Sequence, residues 1–460
     1  MTAEELRGAL GAVSGYGELR MQENTQTSIG VIKGDVTSNV TNRTSGVSAR
    51  VYDRGAWGMA SSPDKTPGGL EYVTRAAQSN AAFLSGKMPA KAPALPGRPG
   101  QKESLLLTSR PRVTPRQKVD FLRDIDAYIE KKYPSLVSRS VHLSGINFEK
   151  TLVTTDGTYF RSFVPRTHVY IFMTADRDGV PVDLMDNPTG GLGEFEDLFE
   201  NPEPLYERAD RLYELIMKKR EGVHAEGGLH TCVLAPSLAG ILAHEAVGHT
   251  VECDLVKGGS IAGPLFGKQV ASEKVSLVDF AHTAFGGLLD VPVFIDDEGI
   301  EAKDAVLIDK GILTGYMHNR ETALEYGVEP TGNARAYGFA DEPLIRMRNT
   351  CILPGTDKLE DMIAAVDDGY YLFNPGNGQA DMTSEFMFSV AMGFEIKKGK
   401  LGRAILDTTV SGVAFEMLKT VTMVGDECLW ASSGMCGKKQ PMSTNMGGPA
   451  ILCQINVGGQ

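Results

Sequence analysis

The sequence predicts an α+β fold: an N-terminal domain, residues 1–221, built on a mixed or antiparallel sheet with covering helices, and a β-rich C-terminal domain, residues 222–460. Three observations predict it. Polar and apolar residues alternate from 17 to 60, the period-two pattern of antiparallel strands with one wet face, and strand-like text returns between 137 and 186. Residues 115–132 and 202–222 instead repeat their apolar side chains at helical spacing. Beyond 222 short apolar runs alternate with turn residues, and 52 glycines against 7% aromatics suit many tight turns.

The elements follow in order. Residues 1–13 read as a short helix, and Lys33-Gly34 and Asp53-Arg54-Gly55 mark turns between strands. Residues 87–100, KMPAKAPALPGRPG, are too rich in proline for a helix or a central strand, so they form a surface excursion after a helix at 70–84. Thr114-Pro115-Arg116-Gln117 is a helix start: a hydroxyl for the orphan amides, proline at the first position and Gln placed for a capping box. Phe121, Leu122, Ile125, Tyr128 and Ile129 then form one stripe, as in a helix that covers a sheet. Asp156-Gly157 turns one strand into the next, HVYIFMTADRDG supplies a third, and a helix ending on Lys218, Lys219 and Arg220 closes this half.

The second half opens with LHTCVL, a strand turning through Pro236 and Ser237 into a helix. Short strands follow in VPVFIDDEG, AVLIDKGILTGYM, CILPG, GYYLF, FMFSVAMGFEIKKGKL and PAILCQINVGG, with hairpin turns at Asp309-Lys310-Gly311 and Lys397-Lys398-Gly399-Lys400.

Charge and composition exclude several classes. With 46 Lys plus Arg against 58 Asp plus Glu, the net charge of -12 repels phosphate backbones and argues against nucleic acid as a partner. No stretch approaches the roughly 20 apolar residues of a membrane span, and the opening MTAEELRGALGAV lacks a secretory pattern. Six scattered cysteines in so large a chain need not form disulfides, so the cytoplasm is the default compartment.

The residues that carry chemistry sit in the helix after Pro236: His244-Glu245-Ala246-Val247-Gly248-His249. With eight histidines in the chain, composition yields this pattern only about 0.02 times by chance. In a regular helix, at about 100° per residue, positions four apart differ by about 40° and positions five apart by about 140°. The two imidazoles would diverge unless the helix carries a π-bulge or ends early. Gly248 lowers the cost of such a distortion, so an irregular turn is predicted at 246–249. Two neutral imidazoles suit zinc, and Glu245, beside the first ligand, is placed to act as general base on zinc-activated water. Candidates for a third ligand are Glu252, Cys253, Asp254 and the distant Cys436 in SSGMCGKKQ. Spacing slightly favours Cys253, a Gly-flanked loop makes Cys436 at least as suitable, and local arithmetic leaves the choice open.

GILAHEAVGHTVECD, followed in order by VFIDDEG, LIDKGILTGYM, PTGNARA, NTCILPG, GQADMTSEFMFS, GMCGKKQ and INVGG, resembles the TldD branch of the TldD/PmbA family, zinc metallopeptidases once described as modulators of DNA gyrase. The resemblance runs through 222–460 and more loosely through SARVYDRGAWGMASS in the first half. It implies zinc bound by His244, His249 and Cys436, with Glu245 catalytic. Family members carry Gly where this chain has Cys253, which leaves Cys253 as a packing residue or an oxidation liability. The resemblance also implies a heterodimer with a TldE (PmbA)-like chain that lacks the motif, with a homodimer as the other arrangement. The implied substrates are unfolded or flexible peptides, such as leader peptides, held along a sheet edge. Asn333, Arg335, Asp381, Thr383 and Ser384 could orient substrate or stabilise an oxyanion, or simply satisfy loop backbone. Glu252 could hold an imidazole in its tautomer. The competing functional readings are a non-hydrolytic peptide-binding or regulatory subunit and a metal-dependent peptide-maturation enzyme of a natural-product pathway.

Overall fold

The computed structural model describes residues 3–88 and 93–458. Residues 1–2 of the expected first helix and 89–92 of the proline-rich excursion lie outside the described residues. The architecture is α+β. One eight-stranded sheet draws all its strands from 16–192, in the order Ala56–Ser62, Asp35–Asp53, Tyr16–Ile32, Ser138–Thr154, Tyr159–Arg177, Gln101–Leu105, with Val180–Met185 and Thr189–Leu192 also paired to Tyr159–Arg177. Its long central pairs are antiparallel and Gln101–Leu105 joins in parallel, so the sheet is mixed.

Local chemistry accounts for many of the boundaries. Lys33-Gly34, Arg54-Gly55, Lys310-Gly311 and Lys398-Gly399 all have positive φ at both turn positions, the backbone that two-residue hairpins require. Thr114 and Gln117 form a capping box at the start of Pro115–Lys132. Four of its five expected stripe residues are buried; Tyr128 instead stacks on Tyr206 at 4.1 Å and donates to Asp210.

Strand alternation decides how the two halves meet. Odd-numbered residues such as Leu19, Val141, Leu143, Val169 and Ile171 face the covering helices, including Pro115–Lys132 and Glu203–Arg220. The even face carries Glu18, Arg20, Gln22 and Asn24 and was expected to be wet; all four are buried. It lies under a segment of the second half: Gln22 and Asn24 donate to Tyr337 O at 2.6 and 2.7 Å, and Arg20 donates to Asp341 O at 2.7 Å. Polar alternation reports which residues share a face, not what covers that face.

The second half contains two larger sheets. One runs Ile312–Leu313, Ala305–Asp309, Leu277–Phe280, Asn349–Ile352, Gln440–Gly448, Leu429–Lys438. In the other, Asp368–Ala380, Gly228–Leu234, Ile451–Val457, Thr408–Val413 and Glu385–Lys397 pair in succession, and the first and last pair with each other to close a ring. VPVFIDDEG is not a strand. The Asp296 carboxylate accepts from the amides of Glu298, Ile300 and Ala334, so a side chain replaces the ladder a neighbouring strand would supply. Among the described residues no helix is long and apolar enough to cross a membrane.

Candidate metal centre

The strand Gly228–Leu234 passes through Ala235 into the helix Pro236–Leu242, which widens into a π-helix at Ala243–Gly248 and tightens to a 3-10 turn at His249–Val251. Bonding each amide one residue further back widens the turn, so residues five apart return to one face. His244 and His249 accordingly meet, with ring centroids 5.3 Å apart. The irregularity starts earlier than the 246–249 expected. Gly248 also acts differently from the expectation: its φ of -53° is ordinary helical backbone. A Cβ there would lie 2.0 Å from Met347 Sδ, so the glycine is needed for close approach rather than for unusual torsions.

Cys436 comes from the other end of the chain. It lies in the strand Leu429–Lys438 near a tight hairpin at Lys439, opposite Met442 of Gln440–Gly448, and not in the loop expected. Its Sγ is 3.1 Å from His249 Nε2, and donor atoms of His244, His249 and Cys436 all lie within 4.8 Å of one another. Two residues missed in the sequence hold this hairpin. The buried Arg346 guanidinium donates to Cys436 O and Gln440 O, each at 2.9 Å, and Lys438 Nζ donates to Glu252 Oε2 at 3.1 Å and to Ile345 O at 3.0 Å. The alternation in LIRMRN and the lysine just after Cys436 were the available signals.

The donor set fits a soft divalent cation such as zinc. His244 is 1% exposed, and neither ring nitrogen has a hydrogen-bond partner among the described residues. Burial, and then the neighbouring His249 and Arg346, hold this imidazole well below its ordinary pKa, leaving it neutral with a lone pair to offer. His249 Nδ1 donates to the buried Glu252 at 2.9 Å, which turns Nε2 toward Cys436 and toward Glu245 Oε2 at 3.7 Å. Burial opposes a charge on His249, but Glu252 and Cys436 outweigh it and lift the ring to about 10. Burial also lifts the Glu245 carboxyl above its usual range, the direction that suits a proton acceptor working near neutral pH.

The other candidates are engaged elsewhere. Cys253 is fully buried among apolar side chains and burial pushes its thiol up to about 11, so it packs rather than ligates. Asp254 pairs with Lys438 at 2.7 Å. Asn333 donates to Asp279 Oδ2 at 2.8 Å and to Arg346 O at 2.9 Å; Arg335 donates to Met347 O and, at 2.9 Å, to Ser443 O. Asp381 accepts from the Thr383 amide and hydroxyl, and Ser384 Oγ accepts from the Ala414 amide. These groups are hydrogen-bonded to neighbouring backbone and side chains.

Comparison with known proteins identifies the family. Residues 17–81, 109–215 and 227–459 match, in order, PmbA/TldA metallopeptidase domain 1, central domain and C-terminal domain. A metalloprotease from Methanothermobacter thermautotrophicus is 29% identical, covering 96% of this chain and 95% of its own. A metalloprotease TldD homolog from Haemophilus influenzae is 32% identical over 75% of this chain and 73% of its own, and a zinc metalloprotease TldD homolog from Saccharolobus solfataricus is 28% identical over 75% and 76%. The solved structure of TldE from Thermococcus kodakarensis shares the fold, with a TM-score of 0.78 over 99% of both chains at 19% identity. Similarity that runs through all three segments, onto relatives named metalloproteases, places this chain in the PmbA/TldD family of metallopeptidases.

Proposed function

We propose that the chain is a zinc-dependent peptidase that hydrolyses unfolded or flexible peptides, with His244, His249 and Cys436 as the zinc ligands and Glu245 as the general base. The observation that carries this reading is the convergence of the three donors within 4.8 Å around a buried imidazole with no other partner. Zinc held there supplies Lewis acidity for the scissile carbonyl and makes water acidic enough to react near neutral pH.

The chain's own residues do the rest. Glu245 Oε2 accepts the proton of the attacking water and returns it to the leaving nitrogen. Glu252 fixes the His249 tautomer, and Lys438 neutralises Glu252 while tying the Cys436 hairpin to it. A centre whose ligands His244 and Cys436 are 1% and 3% exposed is out of reach of folded proteins, which favours flexible chains as substrates. The likeness to a TldE structure supports a second, TldE-like chain as the partner, with a copy of this chain as the other arrangement. Glu245→Gln tests the assignment: hydrolysis should fall by about 10² to 10⁴-fold while zinc stays near one per chain. Full activity in that variant would remove Glu245 from the mechanism.

A further inference from the structure

A cavity of about 80 Å³ lies where the even face of the first sheet meets the second half, and it holds a charge the metal centre does not use. Arg166 lines it from the strand Tyr159–Arg177 and is 3% exposed. Its Nε has no hydrogen-bond partner among the described residues, and no carboxylate there lies within ion-pair distance of its guanidinium. Asp290 is the carboxylate whose charge acts on Arg166, and it accepts from the Leu192 amide at 2.9 Å. A buried guanidinium whose Nε–H is unspent is costly unless something accepts from it.

The surroundings define that acceptor. Lys150 and Arg335 add two more cations to the lining. Against them stands Asp297, which Lys150 already neutralises at 2.6 Å, while burial and Glu298 push Asp296 toward its uncharged form. Phe160 and Phe294 form apolar walls. Net positive charge, a guanidinium with an unspent Nε–H and apolar walls fit a carboxylate carried on an organic chain. The cavity is also next to the chemistry: Met442, one of its walls, is the direct cross-strand neighbour of Cys436. Such neighbours have Cβ atoms about 5 Å apart.

The geometry points to a carboxylate subsite of the peptidase, in which Arg166 takes an acidic side chain or the C-terminal carboxylate of the bound peptide. This builds on the peptidase reading for the identity of the ligand. Three versions of one flexible peptide separate the sources: Glu with an amidated C-terminus, Gln with a free C-terminus, and Gln with an amidated C-terminus. Each is titrated calorimetrically into the zinc-loaded Glu245→Gln protein, where binding is read without turnover. The version carrying the recognised carboxylate should bind about 10 to 100-fold more tightly than the doubly neutral one, the range of hydrogen bonds to charged groups. Adding Arg166→Gln should abolish that discrimination, and Arg166→Lys should keep part of it. Equal affinity for all three peptides, or discrimination that survives Arg166→Gln, overturns the subsite. A wild-type protein that cuts none of the peptides yet still discriminates among them would instead sink the peptidase reading and leave the subsite standing.

Discussion

The helix Pro115–Lys132 and the helical run beginning at Pro236 both open on proline, yet only the first stays regular, for 18 residues against seven. The first is stabilised by its own text: Thr114 and Gln117 cap it, and its apolar stripe packs on the sheet. The second has no side-chain cap and is shaped by distant residues. Met347 packs against Gly248, and Arg346 and Lys438 bring in the Cys436 hairpin. A regular helix is a local object, whereas the distorted one is built by tertiary contacts at the place where two imidazoles must converge.

Breaking the second region should therefore cost more than breaking the first. Arg346→Met leaves buried carbonyls of Cys436 and Gln440 without their donor, and at roughly 1–3 kcal/mol each the loss should be about 2–6 kcal/mol, with zinc content falling alongside. Urea unfolding with metal analysis checks both; unchanged stability would show that the hairpin holds itself. Gly248→Ala forces a methyl onto Met347 and should cost about 1–3 kcal/mol by overpacking. Trimming the obstacle with Met347→Ala should recover part of that loss, whereas a torsional origin would leave the double variant no better. Glu252→Gln should weaken zinc binding by about 10 to 100-fold, because His249 loses the carboxylate that orients it. Competition against a chelator measures this, and an unchanged affinity would release Glu252 from that role. Thr114→Ala, in the regular helix, should cost about 1 kcal/mol in thermal unfolding and leave zinc affinity untouched.

The same contrast explains what could be read in advance. The paired positive-φ turns and the capping box each rest on a few neighbouring residues, and the structure has them where the sequence places them; the His-Glu-His spacing implied an irregular turn at 246–249, and the irregularity begins at Ala243. Readings that depended on remote partners fared differently. Arg20, Gln22 and Asn24 looked solvent-facing because nothing nearby in sequence revealed that 337–341 would cover them. VPVFIDDEG looked like a strand because the acceptor role of Asp296 becomes visible only once Ala334 is beside it. Gly248 was read for torsional freedom, and its actual constraint is an atom of Met347, 99 positions away. Arg166 carried no signal at all until the sheet face around it was assembled.

X-ray absorption at the zinc edge, on the purified full-length protein, tests the convergence of His244, His249 and Cys436 most directly. One sulfur at about 2.3 Å and imidazole nitrogens at about 2.0–2.1 Å are expected, with the sulfur signal lost in Cys436→Ser. A zinc shell without sulfur, or one whose sulfur persists in Cys436→Ser, would contradict the assignment.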